Sequence, residues 1–125
     1  MSNSQDLAKK DLSHVNLATA NLAGVDLHEA SLRNATLKET NLEGADLTSA
    51  DLSHANLAGA SLRHASASHA NMANADLRDT DLEGTNLRGA SLGGAKLGDD
   101  QRTAAAAAGA DLGAGDGEGE AATGD

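Results

Sequence analysis

Leucine occupies every fifth position from Leu7 to Leu62 and again from Leu77 to Leu97, with Ala67 and Met72 filling the two positions between. That is 17 leucines in 19 consecutive pentads, and the one other leucine, Leu112, keeps the same phase. Two residues before the leucine site, 12 of 19 positions are alanine, and Val15, Val25, Thr40, Thr80 and Thr85 are among the rest. One residue before it, 18 of 19 positions are Asp, Asn, Ser or Thr, with Lys96 the exception. The two residues after it vary freely, as in Arg33-Asn34 and Glu43-Gly44.

A period of five excludes both regular elements. Five residues of α-helix advance about 500°, so successive leucines scatter around the cylinder. A straight strand alternates faces, so an odd period sends alternate leucines to opposite sides. A chain that turns a corner every five residues gives all the leucines one interior. The small polar residue of each unit suits that corner, because such side chains hydrogen-bond nearby backbone and compete with regular structure.

The units Ala45-Asp46-Leu47, Ala50-Asp51-Leu52, Ala55-Asn56-Leu57 and Ala75-Asp76-Leu77 resemble the tandem repeats of the pentapeptide-repeat proteins. The resemblance implies an all-β fold, a right-handed quadrilateral β-helix (solenoid) with four pentads, or 20 residues, per coil. Nineteen pentads then make about 4.75 coils. Gly24, Gly44 and Gly84 recur at multiples of 20, and Asp51-Leu52-Ser53-His54 repeats Asp11-Leu12-Ser13-His14 two coils on. At about 4.8 Å per coil the rod is roughly 23 Å long.

The repeats occupy residues 5–99. Residues 100–112 read either as a short capping helix, with acids at its start and glycine after its end, or as a degenerate further coil in which Leu112 keeps the phase. Residues 113–125 are Gly, Ala, Thr, Asp and Glu without periodicity, the composition of a disordered acidic tail.

Composition narrows the function classes. The chain has no Phe, Trp, Tyr, Cys or Pro, which removes disulfides, thiolate metal sites and cysteine catalysis. Its longest apolar run is an alanine tract, far below the roughly 20 residues a membrane helix needs, and the first residues show no signal-peptide pattern. The net charge of −10 argues against direct binding to nucleic acid or an anionic membrane. Half of that charge lies after residue 102.

No Ser-His-Asp set, phosphate-cradling glycine loop or pocketed carboxylate pair is present, so no catalytic residue, cofactor or metal site is assigned. A leucine-filled bore leaves no space for a small molecule. His14, His28, His54, His64 and His69 fall at outward positions; His64 and His69 form the best-placed pair and read as solvated. Glu43, Arg63 and Glu83 share one column as a structural ladder. The corner carboxylates Asp26, Asp46, Asp51, Asp76 and Asp81 serve as turn residues, or as an acidic interaction surface.

The resemblance implies a soluble, cytoplasmic, bacterial, non-enzymatic module for protein interaction or structure, with an unidentified protein partner. One branch of the family implies an alternative. Its members imitate DNA in size and charge, bind type II topoisomerases such as DNA gyrase, and dimerise end to end. Outward Arg33, Lys38, Arg63, Arg78 and Arg88 interrupt a phosphate-like stripe here.

Overall fold

Each pentad makes one side of a four-sided turn. The computed structural model describes residues 6–113. The first repeat residue, residue 5, and the expected disorder of the acidic tail beyond residue 113 lie outside the described residues. Parallel bridges join residues 20 apart, as in Asp26 with Asp46, Ser31 with Asp51, Thr36 with Asn56, and Asn41 with Ser61. Four such bridges per 20 residues define a four-sided β-solenoid.

Two local devices turn the chain. The corner side chain accepts from the amide two residues on: Thr48 N donates to Asp46 Oδ1 at 3.0 Å, and Arg78 N to Asp76 Oδ1 at 3.1 Å. A tight turn follows, closed by bonds such as Ala30 N to Leu27 O at 3.0 Å. Its third residue has positive φ, 59° at Glu29, 59° at His64 and 69° at Gly84, the mark of a type II turn. This corrects the reading of two free positions after leucine. The second of them adopts left-handed backbone, which glycine enters without steric cost. Lys, His, Glu, Asn and Thr hold the same conformation here because the ladders on either side impose it.

The ladder itself is axial. Leu27 N donates to Asp46 O at 2.7 Å, Glu29 N to Thr48 O at 2.9 Å, and Asp46 N to Val25 O at 3.0 Å. The pattern repeats on each side, so the backbone groups find partners one coil away. Leu27, Leu47, Leu57, Leu77 and Leu87 are fully buried, as are Ala67 and Met72. Threonines in the alanine column are buried too, and each hydroxyl donates to a carbonyl one coil earlier: Thr40 to Leu17 O, Thr80 to Leu57 O, and Thr85 to Leu62 O. Leu7, Leu12, Leu17 and Leu22 are only partly buried, since among the described residues a coil covers them on one side alone.

Residues 100–112, readable as helix or as coil, contain both. Helix α1 runs over Asp99–Ala107 and takes the place of two sides of a coil. The chain then rejoins the lattice: Gly89 N donates to Gly109 O, Asp111 N to Ala90 O, and Asp111 bridges Ser91. Ala105 is the buried contact of α1.

Candidate interaction surface

Because leucine and alanine are consumed by the core, the chemistry of the surface comes from the corner residue and the two turn residues of each pentad. The structure distributes the five corner carboxylates over all four sides. Asp26 and Asp46 share one column, with Asp6 a coil earlier, while Asp51, Asp76 and Asp81 each lie on a different side. Every one of the five accepts the turn hydrogen bond.

Three of the five are matched by arginine. Arg33 lies 3.5 Å from Asp51, Arg63 lies 3.4 Å from Asp81, and Arg78 bonds Asp76 at 2.9 and 2.7 Å. Arg63 also pairs with Glu83 one coil on; among the described residues it makes no ion pair with Glu43, so the expected three-member ladder is a two-member one. The Arg78 hydrogen bonds hold the Asp76 carboxyl below its ordinary range. At Asp51 burial opposes ionisation, but bonds from Ser53 and the Arg33 charge outweigh it and lower the pKa.

The unmatched column gathers the one group of three potential metal ligands found among the described residues. Asp26, His28 and Asp46 bring one ligand atom each to within 4.8 Å of the others. His28 Nδ1 is 2.7 Å from Asp26 Oδ1. That bond, with the Asp26 and Asp46 charges, raises the pKa of His28; the backbone and side-chain bonds from His28 lower that of Asp26. Sequence reading passed over His28 and favoured His64 with His69. The signal was present: Asp26 lies two residues before His28, and Asp46 is one 20-residue coil after Asp26. All three side chains are partly exposed, and the Asp26 hydrogen bond occupies His28 Nδ1; the group is an acid–imidazole contact with Asp46 beside it.

Two of the other histidines, His64 and His69, are spacers between coils. The His64 ring lies over Gly84 and the His69 ring over Gly89, each where a Cβ would collide with it. Among the described residues no helix is long and apolar enough to cross a membrane.

A profile for pentapeptide repeats matches residues 11–48, 45–84 and 68–99, in eight copies. No curated protein sequence matches the chain. Among solved structures, the pentapeptide repeat protein Rfr23 from the cyanobacterium Cyanothece 51142 is similar at a TM-score of 0.69 and 22% identity, over 87% of this chain and 92% of that one. A pentapeptide repeat protein of the Arabidopsis thaliana thylakoid lumen is similar at 0.56 and 30% identity, over 90% and 81%. QnrB1, a plasmid-mediated fluoroquinolone resistance protein, is similar at 0.53 and 18% identity, over 91% and 68%; at that identity the likeness is one of fold.

Proposed function

The chain is a member of the pentapeptide-repeat family, and from that premise we propose that it is a non-enzymatic cytoplasmic scaffold, of bacterial type, that presents a fixed lattice of side chains to a protein partner. One observation carries the reading: the variable residues of each pentad stand outward on a backbone pinned by axial ladders on both sides. A partner meeting such a surface finds its contacts already ordered, so little conformational entropy is lost on binding. In this reading the rod has about 4.75 coils, and α1 caps its C-terminal end. Asp26 and Asp46, which no arginine matches among the described residues, are the acidic pair best placed for contact.

The second reading, imitation of DNA toward a type II topoisomerase, has the stacked Asp6, Asp26 and Asp46 column in its favour. Arginine pairing on the three other sides opposes it, and a rod of roughly 23 Å spans only about seven base pairs at about 3.4 Å each. A supercoiling assay with DNA gyrase separates the two. The scaffold reading expects no inhibition at micromolar protein, together with a stoichiometric, salt-sensitive complex with a host protein on cross-linking. Inhibition at stoichiometric protein establishes the alternative.

A further inference from the structure

The axial ladder stops where α1 takes the place of a coil. In each complete coil the leucine amide and the amide two residues beyond it donate to the next coil. Where α1 replaces the strand after residues 80–84, these donors are Leu82 N and Gly84 N, and among the described residues neither has a partner. The one acceptor of that edge, Thr80 O, is already taken by the Gln101 side chain at 3.3 Å. What remains open on this side is therefore a pair of donors, and Asp79 N and Leu87 N in the flanking pentads have no partner among the described residues either.

Leu82, the first donor of the pair, lines a groove of about 330 Å³ between the coil and α1, at the small end of the roughly 300–1,000 Å³ of ligand pockets. Its floor is Leu82 and Ala104, and its rim carries Asp81, Glu83 and Asp100. Arg63 offsets part of that charge through Asp81 and Glu83; Asp100 makes no ion pair among the described residues.

The chemistry selects its occupant. Unpaired amides call for carbonyl oxygens, and a carboxylate rim calls for cations. An anion satisfies the first and is repelled by the second; a metal ion does the reverse. An extended peptide with a basic side chain supplies both, since its backbone carbonyls reach an open edge in the manner of strand addition. The chain's own C-terminal residues do not qualify, because Asp116, Glu118, Glu120 and Asp125 are charged and no basic residue accompanies them.

We propose that this groove binds a short extended segment of a protein partner, with a carbonyl on Leu82 N and a lysine or arginine between Glu83 and Asp100. The proposal rests on the scaffold reading and names the partner chemistry of one end of it.

The probe is an acetylated, amidated seven-residue peptide alternating valine with arginine, added to the full chain at about 0.15 M salt, with a glutamate-for-arginine peptide as control. Amide hydrogen exchange is followed at Leu82 and Gly84, and affinity is measured for Asp100→Asn, Glu83→Gln and, at the opposite end, Asp11→Asn. All three sites are exposed, so folding is retained. The expected result is slowed exchange at Leu82, more than at Gly84, with the arginine peptide only, and at least a tenfold loss for Asp100→Asn and Glu83→Gln with none for Asp11→Asn. Unchanged exchange at Leu82, or equal losses for all three variants, overturns the proposal. A cross-linked host partner retained by Asp100→Asn with Glu83→Gln sinks this site alone; absence of any host partner while the peptide still protects Leu82 sinks the wider reading and leaves the groove.

Discussion

The side-chain amide of Gln101 donates to the carbonyl of Thr80 at 3.3 Å, where the backbone amide of residue 101 would stand had the coil continued. The same side chain accepts from Gly98 N at 3.0 Å. One residue thus ties the start of α1 to the last complete coil. Thr80 is 3% exposed, so its carbonyl has little access to water. Gln101→Ala should lower stability by about 1–3 kcal/mol, the usual cost of a buried group left unpaired. Gln101→Glu keeps the acceptor for Gly98 and loses the donor for Thr80, so chemical denaturation of both variants should show similar losses. A wild-type midpoint for the alanine variant would contradict the assignment.

Two glycines of one column separate backbone strain from contact. Gly44 and Gly84 have φ of 72° and 69°; a Cβ at Gly44 meets nothing, whereas one at Gly84 runs into His64. Gly44→Ala should cost about 1–2 kcal/mol from the left-handed backbone alone. Gly84→Ala should cost more, and His64→Ala should relieve the excess. Equal melting temperatures for the two glycine variants would mean that the His64 ring yields freely.

Core truncation should report the burial gradient along the rod. Leu57 is fully buried between coils, and Leu7 is partly exposed. Leu57→Ala should cost about 2–5 kcal/mol, with Leu7→Ala well below that range because less apolar surface is lost. Calorimetry of the pair checks the order, and a reversed order would contradict the stacking direction of the exposed end.

The His28–Asp26 contact gives stability a pH signature. His28 is held above its ordinary 6.5 by the Asp26 hydrogen bond, with Asp26, Asp46 and Glu29 as the acidic groups around it. Its contribution is complete below about pH 6.5 and is lost as pH rises through the raised value. Asp26 is held below its ordinary 3.8, so its contribution is present above that pH and is lost as pH falls through the lowered value. The melting-temperature gap between wild type and His28→Ala should therefore be wider near pH 5.5 than near pH 8.5. The same gap at both would contradict the contact.

The leucine column was legible because a period of five admits few backbones, and Asp46 or Asp76 could be placed at corners from the chemistry of short polar side chains. The 20-residue register was legible from Gly24, Gly44 and Gly84. The left-handed turn position was not, because Lys9, Glu29 and His64 occupy it beside the glycines, and tertiary ladders override the local preference. The Asp26–His28–Asp46 group needed the register and the two-residue offset combined. The open edge at Leu82 depends on how α1 sits over the coil, which no spacing encodes.

The central claim is that a fixed 20-residue register builds the rod, and insertion tests it most directly. One residue added after Leu52 moves every later leucine out of phase with Leu47 and Leu32, whereas duplicating residues 46–65 adds one whole coil in phase. Thermal unfolding followed by circular dichroism should show a collapsed or strongly lowered transition for the single insertion and a transition at or above wild type for the duplication. A single-insertion variant that melts like wild type would contradict the account.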